Sequence, residues 1–118
     1  MKYVDAFVVP VPKKKLDAYK AMATKMSKLC RKYGALKYVE AVADDVKMGK
    51  VTSFPRSVKR KPSETVVFAY VVYKSRAHRD SVNAKVMKDP RIQAMCGGSK
   101  TMPFDVKRMA YGGFKIIV

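Results

Sequence analysis

The spacing of apolar residues changes near the start of the chain, from every second residue to every third or fourth. Residues 3–9 alternate between two sets of side chains, as in a β-strand, and Pro10 and Pro12 are predicted to end it. The larger set is Tyr3, Asp5, Phe7 and Val9, and the smaller set is Val4, Ala6 and Val8. Residues 13–33 carry one apolar stripe at helical spacing, which predicts an amphipathic helix followed by Gly34.

The same two periods recur along the rest of the chain. Three further strands are predicted, at residues 35–42, 65–73 and 107–118. Residues 44–62 are a charged loop or edge strand, Ser75 caps a second main helix, and Asp89 with Pro90 opens a short third one. The order β-α-β-β-α-β predicts an α+β, ferredoxin-like fold, a four-stranded antiparallel sheet with two main helices on one face. Residues 1–118 suit one such domain.

The charge balance is strongly basic. Lysine and arginine number 26 against nine aspartates and glutamates, which gives a net charge of +17. Such a charge favours anionic partners, namely nucleic acid, a membrane surface or acidic metabolites, of which we do not expect a membrane. The candidate basic patch consists of Lys13, Lys14, Lys15, Arg56, Lys59, Arg60 and Lys61. It is either an ordinary solvated surface or a phosphate-contacting one, and the third strand lacks the aromatic pattern of an RNA-recognition motif.

Several classes of protein are disfavoured by missing motifs. No run of about 18 apolar residues predicts a transmembrane helix, and the apolar stretch near the start contains Asp5 and Pro10, unlike a signal peptide. We therefore expect a cytoplasmic protein with free thiols at Cys30 and Cys96. No metal, flavin or nucleotide motif is present, so no cofactor is expected. The segment GGSKT at residues 97–101 follows a helix rather than a strand and is interpreted as a helix end.

The two faces of the predicted sheet differ in side-chain size. Because small side chains allow close packing, we expect the helices to cover Val4, Ala6 and Val8 in the first strand, together with Val67, Ala69 and Val71 in the third. The opposite face then carries Tyr3, Asp5, Phe7, Phe68, Tyr70, Met109 and Tyr111, joined by Tyr38, Glu40 and Val42 if the second strand has the same phase. A monomer would expose this apolar face, whereas a homodimer would bury it.

Asp5 and Glu40 are the candidate functional residues of that face. A carboxyl group in an aromatic-lined cavity has a raised pKa unless it is paired, and it can act as a proton acceptor. The structural alternative is that Asp5 accepts hydrogen bonds from tyrosines or from Arg108 of a second protomer. His78 is a candidate general base or else a capping residue. The candidate ligand pocket contains Tyr3, Asp5, Phe7, Phe68, Tyr70, Arg108 and Tyr111.

Five segments of the chain form a specific series: MKYVDAFVVPVP, GALKYVE with the following DDV, TVVFAYVVY, VNAKVMKDPR and MPFDVKRMAYGGF. In order and spacing they resemble the YbaA family of small uncharacterised bacterial proteins. The resemblance implies a dimeric α+β barrel, in which two ferredoxin-like sheets pack with their open faces together, and it implies no activity. This chain departs from the family in its basic charge, and in having Ala41 and Val42 where members usually have a Cys-Trp pair.

Three functions are compatible with these observations. The one we favour is a homodimer that binds or transforms a small molecule in a pocket at the sheet or dimer interface, without a cofactor. The second is a basic protein that binds nucleic acid or another polyanion. The third is a structural or regulatory dimer with no catalysis. No pattern in the sequence identifies a substrate or establishes that a reaction occurs.

Overall fold

The computed structural model describes residues 1–96 and 102–118. Its strands are β1 (Tyr3–Pro12), β2 (Lys37–Val42), β3 (Glu64–Tyr73) and β4 (Ala110–Lys115). Its helices are α1 (Leu16–Lys32), α2 (Phe54–Ser57), α3 (Arg76–Lys88) and α4 (Pro90–Cys96). Short 3-10 turns lie before α1 and β4, at Lys13–Lys15 and Val106–Arg108. The predicted order of the main elements is confirmed, and the interpretation of residues 97–101 as a helix end lies outside the described residues.

The described strands form an antiparallel sheet in the order β2-β3-β1-β4. β1 and β2 both run antiparallel to β3, so they are parallel to each other and α1 connects them across the sheet. This is the split β-α-β geometry, and α1 and α3 pack against the same face of the sheet. The predicted α+β, ferredoxin-like class is therefore confirmed.

The prediction that Pro10 ends β1 is wrong, because the strand continues through Pro10 to Pro12 and both prolines pair with β3. On its other side β1 is covered by β4 only as far as Val8. In a strand, the amide hydrogens of alternate residues point to the same side. Lys13 donates its amide hydrogen to the Ser63 carbonyl over 3.0 Å, so the odd-numbered amides at this end of β1 point toward β3. An amide hydrogen at position 10 or 12 would point to the other side, which β4 leaves uncovered, so its absence in proline costs little.

The helices cover the opposite side of β1 from the predicted one. Residues that pair across neighbouring strands lie on the same face of the sheet. Phe7 pairs with Ala69, and Phe68 pairs with Val8, so Phe7 and Phe68 lie on opposite faces. The helix-covered face carries Tyr3, Asp5, Phe7, Val9, Tyr38, Glu40, Val67, Ala69, Val71 and Tyr73. The placement of Val67, Ala69 and Val71 is confirmed, whereas that of Val4, Ala6 and Val8 is wrong. Alternation separates two sides of a strand but does not say which side the helices take when both are apolar.

The open face of the sheet is nevertheless apolar. It carries Val4, Ala6, Val8, Val39, Phe68, Tyr70, Val72 and Phe114. Phe68 is 40% exposed and Phe114 is 59% exposed, and Phe54 of α2 lies edge-on to Phe68. The argument from an exposed apolar face therefore survives, with a different set of residues from the predicted one.

The core and the helix caps follow the local sequence. The α1 stripe packs on the sheet through Tyr19 and Leu29, and Cys30 beside them is a buried free thiol, as predicted. Ser75 accepts a hydrogen bond from the His78 amide at the start of α3, over 3.1 Å.

Residues 44–62 contain the short helix α2 instead of an edge strand. Within residues 1–96 and 102–118, no helix has both the length and the apolar character needed to span a membrane.

Candidate functional site

Glu40 of β2 is held between two tyrosine hydroxyls. Tyr19 donates to its Oε1 over 2.6 Å and Tyr38 donates to its Oε2 over 2.7 Å. Tyr38 and Glu40 are two residues apart in β2 and so share the helix-covered face, while Tyr19 reaches them from α1. Burial, followed by the neighbouring Glu40 carboxylate, raises the pKa of both phenols well above the ordinary value. Both tyrosines therefore remain hydrogen-bond donors at neutral pH.

A cavity of about 300 Å³ lies between the sheet and the helices. Its polar lining includes the side chains of Asp5, Tyr19, Tyr38, Glu40, Tyr73 and Asn83. Apolar side chains supply the rest of the wall, among them Phe7, Met22, Met26, Val71, Phe104 and Met109. Methionine side chains are flexible, so this wall can adapt to the shape of an occupant. The volume is sufficient for a small molecule.

A groove of about 570 Å³ lies between α1 and β2. Tyr19, Tyr38 and Glu40 line both this groove and the interior cavity. We refer to these three hydrogen-bonded residues as the partition, because they line both spaces. Glu40 therefore lies where the groove and the cavity adjoin.

Asp5 lies on the same face of the sheet but is engaged by a different element. Its buried carboxylate accepts a hydrogen bond from Nη1 of Arg79 in α3, over 2.7 Å. Burial raises the pKa of Asp5, and the Arg79 guanidinium opposes that shift. Arg79 is thus the partner of Asp5 within the chain, and an interaction with Arg108 of a second protomer stays a prediction.

His78 holds the turn between β3 and α3. Its Nδ1 accepts a hydrogen bond from the Lys74 amide over 3.0 Å, and its ring lies edge-on to Tyr73. A Cβ atom at Gly34 would lie 3.0 Å from Nε2, so the ring is also packed against the end of α1. These contacts support the capping interpretation, and His78 lines neither the cavity nor the groove.

Arg108 does not lie in the cavity. Its guanidinium forms two parallel hydrogen bonds with the buried carboxylate of Glu64, over 2.8 and 2.6 Å. It also bonds Asp105 over 2.9 Å and the Lys59 carbonyl over 2.9 Å. Hydrogen bonding to Arg108 lowers the pKa of Glu64. Arg108 therefore links the turn before β4 to the start of β3, and its predicted place in a ligand pocket is wrong.

The aromatic pocket candidates do not form one cluster. Phe7 lines the cavity, whereas Phe68 and Tyr70 lie on the open face. Tyr111 stacks on Phe7 with ring centroids 6.1 Å apart, yet it is 73% exposed. Tyr3 packs between α3 and β4 outside the cavity lining. Of the residues that were predicted to share the face opposite the helices, those that line the cavity are Asp5, Phe7, Tyr38, Glu40 and Met109.

The two basic groups meet at one end of the sheet. The Lys13 amide bonds the Ser63 carbonyl, and the Glu64 amide bonds the carbonyl of Lys61. The side chains of Lys13, Lys14, Lys15, Lys59 and Lys61 are exposed there. The two arginines have structural contacts instead: Arg56 bonds the carbonyls of Met48 and Gly49, and Arg60 bonds that of Glu64 over 3.0 Å.

Several cavity residues were not predicted as site residues. Tyr19, Met22 and Met26 belong to the α1 stripe, and their helical spacing indicates only that this side of α1 is buried. Phe104 reaches Tyr19 from the segment before β4, with ring centroids 5.6 Å apart. A stripe that fills a core and a stripe that lines a cavity have the same spacing, so the sequence carries no signal that separates them.

The strand order, the helix layer and the cavity beneath it define a ferredoxin-like α+β protein. An uncharacterized NIPSNAP domain protein from Burkholderia xenovorans has a similar structure, with a TM-score of 0.57 and 11% identity over 98% of this chain and 94% of that chain. A dimeric ferredoxin-like protein from an uncultured marine organism is also similar, with a TM-score of 0.54 and 14% identity over 99% and 94% of the two chains. At these identities the likeness concerns the fold alone.

The family follows from closer sequence relatives. The family model "Protein of unknown function (DUF1428)" matches residues 2–106. The uncharacterized protein YbaA of Escherichia coli (strain K12) is 50% identical over 118 residues, which cover 100% of this chain and 98% of the relative. YbaA of Shigella flexneri matches with the same identity and coverage. The chain therefore belongs to the DUF1428 family, which confirms the resemblance to YbaA proteins.

Proposed function

We propose that this protein binds a small, largely apolar molecule in the cavity between the sheet and the helices. The observation that carries the proposal is the position of Glu40, a carboxylate held by two tyrosines at the wall of an otherwise largely apolar space of about 300 Å³. Ligand pockets commonly combine apolar walls with a few fixed polar groups. A hydroxyl or amine of the ligand would bond Glu40, while the methionine and phenylalanine walls bury its apolar part.

The contacts of the ionisable candidates favour binding over proton transfer. Asp5 is paired with Arg79, and His78 Nδ1 accepts a backbone hydrogen bond. Both oxygens of Glu40 already accept hydrogen bonds from tyrosines. Each carboxylate oxygen can accept a second hydrogen bond, so Glu40 can also accept one from a ligand donor. The role assigned to Glu40 is therefore to orient a ligand.

We also propose that the protein is a homodimer formed through the open face of the sheet. Val8, Phe68 and Val72 of the inner strands would lie at the centre of that interface. An exposed apolar face of this kind is characteristic of an interface. A similar fold that is dimeric, the ferredoxin-like protein from an uncultured marine organism, supports a homodimer. The ligand cavity lies on the other face of the sheet, so this proposal places it within each protomer. A cytoplasmic location stays a prediction.

A neutral fluorescent probe tests the cavity directly. Phenylnaphthylamine is expected to bind saturably, with one probe per chain, and to gain fluorescence. Met26→Trp would fill the cavity and weaken binding about tenfold or more, a loss of about 1.4 kcal/mol. Met48→Trp adds the same ring to an exposed loop position and should leave binding unchanged. Absence of saturable binding, or equal binding by the Met26→Trp variant, would count against the proposal.

Polyanion binding is the second candidate function, and the meeting of the two basic groups favours it. Within the described part of the chain no lysine forms an ion pair. The positive charges of the exposed lysines Lys13–Lys15, Lys59 and Lys61 are therefore not neutralised by carboxylates. Binding of single-stranded RNA should then fall steeply between low and moderate salt. Replacement of Lys13, Lys14 and Lys15 by glutamine should weaken it more than replacement of Lys25, Lys85 and Lys88. Equal losses would indicate net charge without a site.

A further inference from the structure

We propose that the ligand is an amphipathic anion whose charged group lies at the rim of the groove between α1 and β2. The proposal rests on the proposed function, because the groove adjoins the proposed cavity at Tyr19, Tyr38 and Glu40, which line both. Its apolar body would extend along the groove to the partition and so toward the cavity. The charged group would be a carboxylate, sulfonate or phosphate of a free small molecule.

The rim of the groove is cationic and lies on α1. Lys20, Lys28 and Arg31 line the groove at helical spacing, with Thr24 and Ser27 between them. All three cations are exposed, and within residues 1–96 and 102–118 none of them forms an ion pair. Neighbouring members of this edge, such as Ser27, Lys28 and Arg31, can bind an anionic group through several hydrogen bonds, and Lys20 adds to the positive charge of the rim.

The floor of the groove is apolar. Leu16, Ala23, Val42 and Val67 line it, and Val42 of β2 is 51% exposed. A small polar anion would leave this floor in contact with water, whereas a molecule with an apolar body would cover it. The combination of a cationic rim and an apolar floor therefore fits an amphipathic anion better than either a simple anion or a neutral hydrocarbon.

The partition sets the orientation of the ligand. Glu40 is the acidic residue that lines the groove, and its carboxylate is tied to Tyr19 and Tyr38. Like charges repel, so the anionic group is disfavoured beside Glu40 and favoured at the α1 rim. The uncharged end of the ligand, with any hydroxyl or amine, is then the end that meets Glu40.

Two probes that differ only in charge test the inference. Anilinonaphthalene sulfonate is phenylnaphthylamine with an added sulfonate group, so a fluorescence titration of each reports what the charge contributes. The sulfonate is expected to bind about tenfold more tightly. Replacing Lys20, Lys28 and Arg31 by glutamine should remove that advantage and leave phenylnaphthylamine binding unchanged. The control variant replaces Lys25, Lys85 and Lys88, which removes the same charge away from the groove.

Each outcome separates the two proposals. Equal affinity for the two probes, or an equal loss of sulfonate binding in the rim and control variants, overturns the anionic ligand class and leaves the cavity proposal standing. If neither probe binds, the proposed function fails as well. Val42→Trp gives an independent check, because a large ring on the floor should weaken sulfonate binding even with the rim intact. Unchanged sulfonate binding by this variant would overturn the placement in the groove.

Discussion

The ring of Tyr3 in β1 lies over Gly113 in β4 and occupies the space that a side chain at position 113 would need. A Cβ atom there would lie 2.6 Å from Cε2 and 2.8 Å from Cζ of Tyr3. The ring also contacts the guanidinium of Arg79, which lies 5.0 Å from its centroid. The glycine thus leaves room for an aromatic ring that contacts both β4 and α3.

Gly113→Ala should lower the free energy of unfolding by about 1–3 kcal/mol, because the Tyr3 ring must move. Gly112→Ala is the matched control, since its Cβ would meet Phe114 at an ordinary 3.7 Å. That control should be neutral or stabilise by up to about 1 kcal/mol through reduced unfolded-state entropy. Urea unfolding measures both. In a Tyr3→Ala background the cost of Gly113→Ala should disappear, and its persistence would rule out the contact as the cause.

Arg108→Met should destabilise the protein by about 3 kcal/mol, because Glu64 would be left buried without its cation. Arg108→Lys keeps the charge but cannot form two parallel hydrogen bonds, so its cost should be intermediate. The free energy of unfolding in urea distinguishes the three proteins. A lysine variant as stable as the parent would mean that charge alone matters at this position.

Stability should fall in acid as Glu64 takes up a proton. Hydrogen bonding to Arg108 lowers the pKa of Glu64 in the folded state below its ordinary 4.5. The stabilisation is therefore complete above pH 4.5 and is lost as the pH falls through the lower folded-state value. Unfolding free energies at several pH values should show a shallower acid slope for Glu64→Gln than for Asp17→Asn, which changes an exposed carboxyl. Equal slopes would exclude Glu64 as a contributor.

The partition tyrosines should resist ionisation in alkali. Burial and the Glu40 carboxylate raise the pKa of Tyr19 and Tyr38 above the ordinary 10 in the folded state. Their contribution to stability is then complete below pH 10 and is lost as the pH rises above it. Ultraviolet titration of the native protein should leave these phenols protonated until unfolding. Glu40→Gln should lower the pKa values of Tyr19 and Tyr38. The pKa of Tyr73 should stay unchanged, because burial is the main cause of its rise.

Phe68→Glu should convert the proposed dimer into a monomer. Phe68 lies on an inner strand at the open face, where a carboxylate in the interface would lack a partner. Val51→Glu is the control, because Val51 is an exposed loop residue away from the sheet. Sedimentation velocity at several concentrations gives the assembly state. A monomeric parent protein, or a dimeric Phe68→Glu variant, would contradict the assignment of this face.

Local chemistry accounts for the features that were predicted correctly. The cap at Ser75, the Asp89-Pro90 helix start and the α1 stripe each depend on residues a few positions apart. The faces of the strands were harder, because β1 is apolar on both sides and its pattern is compatible with either. The capping role of His78 was one of two interpretations, and the contact with Lys74 that supports it is also local.

The sequence by itself determined the order of strands and helices, and with it the ferredoxin-like class, because period and capping are short-range properties. Tertiary structure decided which carboxylates meet which partners. Tyr19 and Glu40 are 21 positions apart, and Asp5 and Arg79 are 74 apart. Such pairs depend on strand register and on the seating of the helices, and a shift of one residue would turn Glu40 from the cavity to the open face. The site thus exists only once the sheet and helices are assembled.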